Sequence, residues 1–171
     1  MSKAIVLLSG GLDSTTCLAI ATDKYKEVHT ISFDYGQKHR IELELAEYNS
    51  KKFGVKVHKV VKLDPTFFQN SSLTNLEMNV KKDSLAYDMI PDTYVPARNT
   101  VFLSYALAYA ESIKCDIIYI GVNSIDYSGY PDCRPEYIMA YEKMANLAVK
   151  EAVEGRLIMK IETPLIDISK S

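Results

Sequence analysis

The sequence has few cysteines, little net charge and no long apolar run. Its three cysteines, Cys17, Cys115 and Cys133, show no paired spacing, which argues against a disulfide framework and favours a reducing cytoplasm. The 20 basic and 22 acidic side chains give a net charge of −2, so we expect no nucleic-acid partner. No apolar run approaches the roughly 18 residues of a membrane span, and we recognise no signal peptide, so we expect no membrane partner.

Short apolar runs alternate with helical patterns along the chain. The runs cover residues 5–8, 28–33, 55–63, 117–120 and 157–161. Continuous apolar runs are typical of strands that are buried on both faces of a parallel sheet. Helices are predicted over residues 13–24, 37–53, 99–113 and 135–155. This alternation predicts an α/β fold, a doubly wound five-stranded parallel sheet in the order 3-2-1-4-5 with helices on both faces.

One connection is much longer than the others. Residues 64–97 show no clear periodicity and contain Pro65, Pro91 and Pro96. Loops in compact α/β proteins usually have about 2–6 residues, so a longer one is either a functional lid or a disordered insertion. We predict a lid-like insertion within a single domain that spans residues 1–171. The final residues, LIDISKS, ordinarily begin a helix, so we expect the chain to continue.

The first predicted strand leads into the sequence SGGLDS, residues 9–14. Two glycines allow a tight turn in which successive backbone N–H groups converge on one anion. The following helix adds the positive end of its dipole, and Ser9 and Ser14 add hydroxyl donors. The turn lacks the lysine of a Walker A loop and the glycine spacing of a dinucleotide-binding fold. It therefore suits a pyrophosphate whose α-phosphate stays open to attack.

Asp13 would repel a bare phosphate, and a bound Mg²⁺ would reverse that effect. The simpler alternative is that Asp13 or Ser14 only caps the helix and the glycines only form a turn. The sequence Ser-Gly-Gly-x-Asp-Ser after a first strand resembles the PP-loop ATP pyrophosphatases. This resemblance implies that ATP is cleaved between its α- and β-phosphates and that a substrate is adenylated.

A second loop is predicted to lie opposite the glycine turn. In this strand order a crevice opens between the carboxyl ends of strands 1 and 4, and strand 4 leads into residues 121–136. Tyrosines there could stack on a flat heterocycle, acids could accept from ring N–H groups, and an arginine could bind a carboxylate or phosphate. These side chains are Tyr127, Tyr130, Asp132, Glu136 and Arg134. An ordinary surface loop with two proline turns fits the same residues.

Four further blocks resemble the 7-cyano-7-deazaguanine synthase family of queuosine biosynthesis. They are SFDYGQKHRIELE (32–44), YVPARNTVFLS (94–104), DYSGYPDCRPEYI (126–138) and IETPL (161–165). Together with the PP-loop they extend over essentially the whole chain. The resemblance implies an ATP-dependent carbon–nitrogen ligase that converts 7-carboxy-7-deazaguanine and ammonia to the nitrile through an acyl-adenylate.

The resemblance also implies roles for individual residues. ATP pyrophosphate and Mg²⁺ would be held at the turn by Ser9, Gly10, Gly11, Leu12, Asp13 and Ser14, with Asp13 as the Mg²⁺ ligand. The deazaguanine pocket would be shaped by Tyr130, Asp132, Cys133, Arg134 and Glu136. Arg98 would meet phosphate or the substrate carboxylate. The catalytic candidates are Asp13, Arg98 and Arg134.

Two features depart from the family pattern. The family usually has glycine where this sequence has Ala97, which would be mildly strained if φ is positive there and neutral otherwise. The family also carries four cysteines near its C-terminus that bind a structural Zn²⁺. Those ligands are not present in the 171 residues, so Zn²⁺ is expected for the full-length family but not on this chain.

Two other functions stay open at this point. Another PP-loop adenylating enzyme, such as a tRNA-modifying thiolase or lysidine synthetase, should carry a basic surface or a catalytic cysteine pair, which the charge and cysteine spacing argue against. A non-catalytic nucleotide-binding module would have no use for Asp13 beside phosphate. Small molecules are the expected partners. The apolar helix over 99–113 serves a homodimer interface or only the core, and His39 could reach the ribose or adenine of ATP.

Overall fold

The computed structural model of the chain describes residues 2–37, 41–68, 71, 74, 90, 93–123 and 129–168. The predicted lid lies largely outside these residues, as do His39 and Tyr127. Near the start of the segment predicted to be a lid, the described residues form a 3-10 turn, Pro65–Phe68. The last described residues of that segment, 93–97, lead directly into a helix.

Five parallel strands form one sheet in the order β3-β2-β1-β4-β5. They are β1 (Lys3–Leu7), β2 (Glu27–Asp34), β3 (Val57–Lys62), β4 (Ile117–Tyr119) and β5 (Lys160–Glu162). The predicted fold class and strand order are confirmed. β5 begins three residues later than predicted, because the side chain of Asn146 hydrogen-bonds to both the N–H and the carbonyl of Met159 at 2.8 and 3.0 Å. These two backbone groups are thereby taken away from sheet pairing.

Helices connect the strands in the described part of the chain. They are α1 (Leu12–Lys24), α2 (Ile41–Lys52), α3 (Arg98–Ile113), α4 (Pro135–Ala148) and α5 (Lys150–Val153). α4 begins at Pro135 as predicted, because proline suits the first helical position. The predicted single helix over 135–155 is interrupted at Val149, which has extended backbone angles of −79° and 130°. Gly155, with φ of 72°, ends the segment.

The core lies in two layers, one on each face of the sheet. Alternate residues of β1 point to opposite faces, so Ile5 and Leu7 pack with α3 and α4 and Val6 and Leu8 pack with α1. α3 was predicted to be apolar nearly all round. It buries one side in the core, whereas Tyr105 on its other side is 46% exposed. No helix in the described ranges is long and apolar enough to cross a membrane.

The strands end at different heights at their carboxyl edge. β1 pairs with β2 only as far as Leu7 opposite Ile31, whereas β2 continues to Asp34 alongside β3. The crevice at this edge is therefore bordered by the glycine turn after β1, the exit from β4 and the last residues of β2, which is where ligands bind in open α/β sheets.

Candidate active site

The glycine turn is held in shape by its own two serines. The hydroxyl oxygens of Ser9 and Ser14 lie 3.0 Å apart, and the Ser14 hydroxyl accepts from the N–H of Ser9 at 3.1 Å. The helix that follows has Gly11 at its N-cap, which contributes no side-chain cap. The first N–H groups of α1 are consequently presented at the turn, which is the arrangement that binds anions.

Gly10 lets the turn approach α2 closely. Its φ is 86°, a conformation that residues with a Cβ rarely adopt. A Cβ at Gly10 would also lie 2.2 Å from the backbone oxygen of Glu42 and 2.9 Å from the backbone nitrogen of Ala46. Both the dihedral angle and the close contact require glycine here, so the second residue of SGGLDS fixes the turn against the first two turns of α2.

Asp13 is joined to the exit from β4. Asn123 is 2% exposed, and its Nδ2 donates to Oδ2 of Asp13 at 3.0 Å. Gly121 lies close by, since a Cβ there would be 3.0 Å from the backbone nitrogen of Ser14. The two loops predicted to face each other therefore touch. Asn123 is not among the residues predicted from the sequence, although its position just after strand 4 is a usable signal.

A cleft of about 210 Å³ opens between these loops. It brings together Ser9 and Ser14 of the turn with Arg98 at the start of α3. The guanidinium Nη1 of Arg98 lies 3.4 Å from the hydroxyl oxygen of Tyr35, which also lines the cleft. Burial opposes the charge on Arg98, but Tyr35 and Asp132 outweigh it and raise the pKa. The cleft thus holds a permanent positive charge opposite the glycine turn.

Asp132 and Cys133 lie in a 3-10 turn, Pro131–Cys133, and both are buried. The Asp132 carboxylate accepts from the backbone N–H of Asn99 at 3.0 Å. The Asn99 amide in turn donates to the Asp132 carbonyl at 3.0 Å and to Sγ of Cys133 at 3.2 Å. Cys133 therefore accepts a hydrogen bond inside the protein. These contacts fasten the second loop to the first turn of α3, beside Arg98.

The other predicted pocket residues lie around this turn. The hydroxyl oxygen of Tyr130 is 2.6 Å from Oγ1 of Thr93, and its ring stacks on Tyr94 at 6.3 Å between centroids. Arg134 and Glu136 are exposed at the start of α4. In the described part of the chain, these three residues do not line the cleft that contains Arg98.

The described residues fit Mg²⁺ and do not fit Zn²⁺. Mg²⁺ is usually bound by one or two carboxylates together with substrate phosphates, and Asp13 supplies a carboxylate beside the anion-binding turn. Among the described residues no group of three or more histidine, cysteine or acidic side chains could hold a metal. Burial, with a smaller effect of Asp13, raises the pKa of Cys17 to about 12, and burial raises that of Cys115 to about 11.

A family model described as queuosine biosynthesis protein QueC matches residues 3–171. The chain belongs to this family. A 7-cyano-7-deazaguanine synthase of Hydrogenovibrio crunogenus is 60% identical over 171 residues, which is all of this QueC chain and 73% of the relative. Another, from Desulfatibacillum aliphaticivorans, is 55% identical over 172 residues, covering 99% of this chain and 73% of the relative.

A solved structure described as a predicted subunit of tRNA methyltransferase from Methanocaldococcus jannaschii is also similar. Its TM-score is 0.59 at 22% identity, and the match covers 99% of the QueC chain and 70% of that protein. At this identity the likeness concerns the fold alone.

Proposed function

We propose that this QueC chain is a 7-cyano-7-deazaguanine synthase, the activity for which its relatives are named. The observation that carries the proposal is the cleft that brings the anion-binding turn and the Arg98 guanidinium together. An enzyme that adenylates a carboxylate must hold two anions within reach of each other. The Arg98 guanidinium offers a cationic partner for one anion, and the backbone N–H groups of the turn offer hydrogen-bond donors for the other.

The turn would hold the β- and γ-phosphates of ATP through the N–H groups of residues 10–14. Arg98 would hold the substrate carboxylate near the α-phosphorus, reducing the repulsion between the two anions. A carboxylate oxygen attacks the α-phosphorus, the bond to the bridging oxygen breaks, and pyrophosphate leaves with that electron pair. Ammonia then attacks the acyl carbon and loses a proton as AMP departs. Loss of water from the resulting amide, after a further activation, gives the nitrile.

Asp13 is the residue that would hold Mg²⁺. When bound there, Mg²⁺ supplies positive charge between the carboxylate and the phosphates. The 3.0 Å hydrogen bond from Asn123 holds the Asp13 side chain against the exit from β4.

The pocket for the deazaguanine is assigned to Tyr130, Asp132, Cys133, Arg134 and Glu136 as part of the same proposal. Asp132 and Cys133 would shape the pocket indirectly, because their hydrogen bonds to Asn99 fix the start of α3. Tyr130 offers a ring, and Arg134 and Glu136 offer exposed charged groups at the start of α4. A lid over 64–97, a homodimer and a cytoplasmic location stay predictions.

Pyrophosphate release tests the proposal. We expect release that depends on both ATP and 7-carboxy-7-deazaguanine, with the nitrile formed only when ammonium is present. Asp13→Asn should lower turnover by about 100-fold or more, because it removes the carboxylate that would hold Mg²⁺ against the departing pyrophosphate. Asp23→Asn, which changes an exposed residue on the same helix, is the matched control. Absence of substrate-dependent pyrophosphate would reject the function, and an active Asp13→Asn enzyme would reject the role of Asp13.

A further inference from the structure

The carboxamide of Gln37 makes two hydrogen bonds to the backbone at the end of β2. Its Nε2 donates to the carbonyl of Phe33 at 2.9 Å, and its Oε1 accepts from the N–H of Tyr35 at 3.0 Å. All three residues line the cleft that contains the glycine turn and Arg98. One side-chain amide therefore satisfies a backbone acceptor and a backbone donor that lie side by side at the edge of the cleft.

These backbone groups face the cleft because β1 stops early. The carbonyl of Ile31 accepts from the N–H of Leu8, so it points toward β1. Backbone groups of alternate residues in a strand point the same way, so those of Phe33 also point to this side, beyond the last paired residue of β1. The N–H of Tyr35, just after β2, lies on the same side, because the Gln37 amide contacts both groups. Asp34 points to the other side, where its carbonyl accepts from Leu63.

A carbonyl and an N–H two residues apart match the edge of a heterocyclic base. Adenine carries an amino donor beside a ring-nitrogen acceptor, and the lactam of a guanine-like ring carries an N–H donor beside a carbonyl acceptor. A primary amide presents the same pair. Aromatic rings lie next to the pair, since Phe33 stacks on Phe102 with centroids 4.0 Å apart and ring planes at 4°. Flat ligands are commonly bound between such a surface and a few placed polar groups.

We propose that the Phe33 carbonyl and the Tyr35 N–H form a recognition site for the edge of a heterocyclic substrate, and that Gln37 occupies this site as an internal mimic of that edge. The site takes the donor–acceptor edge of one heterocycle, which is either the adenine of ATP or the lactam of the deazaguanine. The identity of these two candidates rests on the proposed function, whereas the site itself does not.

Occupation by Gln37 lowers the affinity for the ligand that must displace it. Two hydrogen bonds within the protein are exchanged for two to the ligand, so the apparent dissociation constant is the intrinsic one divided by the fraction of molecules in which Gln37 has left the site. Two neutral hydrogen bonds of low to average net strength correspond to a factor of about five to thirty. If Gln37 only stabilised the turn at Gly36, removing its amide would not lower the dissociation constant of either ligand.

The variant Gln37→Met tests the proposal, because methionine keeps the length of the side chain and removes both polar atoms. Binding of ATP and of 7-carboxy-7-deazaguanine is measured separately by titration calorimetry, without turnover. We expect the dissociation constant of one heterocycle to fall about five- to thirtyfold and that of the other to change less than twofold. The ligand that gains affinity is the one that uses the site. No gain for either ligand, an equal gain for both, or no binding at all overturns the proposal.

A second measurement uses the unmodified protein and does not depend on the fold of a variant. The sequence has two glutamines, Gln37 and Gln69, so their side-chain amide signals in a nitrogen–proton spectrum are readily assigned. The Gln37 signals should move toward solvent positions at saturation with the recognised heterocycle. Unchanged Gln37 signals with both ligands overturn the proposal. Because both measurements record binding, a protein that binds ATP but releases no pyrophosphate would reject the proposed function and leave this site standing.

Discussion

Ala97 has backbone angles of 51° and 22°, in the left-handed region. A Cβ in this region lies too close to the following backbone, and glycine avoids that contact. The angle is set by the position of Ala97 at the start of α3, where its N–H donates to the hydroxyl of Tyr94 at 3.1 Å. The question left open by the sequence is thereby answered: φ is positive at this position, and alanine is mildly strained there.

We expect Ala97→Gly to raise the free energy of unfolding by about 1 kcal/mol, since relief of the strain exceeds the added freedom of the unfolded chain. Ala108→Gly is the matched control, because Ala108 is exposed in the interior of the same helix and should cost about 1 kcal/mol there. Urea denaturation measures both. Two variants that shift the free energy in the same direction would contradict the strain at Ala97.

At the residue scale, His58 also makes the free energy of unfolding depend on pH. Its Nδ1 lies 2.8 Å from Oγ1 of Thr30. Burial lowers the pKa of His58, Glu47 opposes this effect and Lys51 adds to it. As pH falls the unfolded chain takes up the proton first, near its ordinary pKa of about 6.5. The contribution of neutral His58 to the free energy of unfolding is therefore complete above that pH and is lost as pH falls below it.

We expect His58→Gln to lose less unfolding free energy between pH 7 and pH 5 than the unmodified protein, because glutamine does not titrate. Urea denaturation at the two pH values gives the difference. The comparison between the two proteins removes the contribution of all other titrating groups. An equal loss in both would mean that burial does not shift the titration of His58.

At the scale of the elements, α3 is capped by a residue far away in the chain. Its N-cap residue Ala97 offers no side-chain acceptor, and Asp132 supplies one by accepting from the N–H of Asn99. A carboxylate at the first turn of a helix also interacts favourably with the helix dipole. The second loop therefore fixes the first turn of α3, and with it Arg98.

We expect Asp132→Ala to lower the free energy of unfolding by about 1–3 kcal/mol, because it leaves a buried N–H without its acceptor. Asp132→Asn keeps an acceptor of the same shape and should cost less. If Asp132 positions Arg98, Asp132→Ala also raises the KM of the carboxylate substrate. Asp132→Asn should then have a KM close to that of the unmodified protein. Equal effects of the two variants on KM would show that the negative charge contacts the substrate directly.

The strand order and the glycine turn show where sequence reasoning succeeds, whereas the start of β5 and the cap on α3 show where it does not. The strand order and the glycine turn follow from local patterns, namely apolar runs, helical spacing and the run SGGLDS. The later start of β5 depends on Asn146, and the cap on α3 depends on Asp132. Each of these contacts joins residues that are far apart in the sequence or depends on how side chains pack. Hydrophobic periodicity does not reveal such contacts.

At the scale of the whole molecule, the site exists because two loops from adjacent strands meet. β1 and β4 are neighbours in the sheet, although about 110 residues separate Asp13 from its hydrogen-bond partner Asn123. The crossover through β2 and β3 brings them together, so the geometry at Asp13 depends on how closely the β4 exit approaches α1. Gly121 sets that distance.

We expect Gly121→Ala to lower kcat/KM for ATP by about tenfold or more, because small displacements of positioned groups are costly in catalysis. The added Cβ would lie 3.0 Å from the backbone carbon of Asp13 and from the backbone nitrogen of Ser14, and neither atom can rotate away. Gly155→Ala is the control: its φ is 72° and no atom lies within 4 Å, so it should lower stability with kinetics unchanged. Steady-state kinetics and urea denaturation of both variants separate the two effects. If both variants lose stability and Gly121→Ala keeps its kcat/KM, the crevice tolerates movement of its two loops and the fit at Gly121 serves packing only.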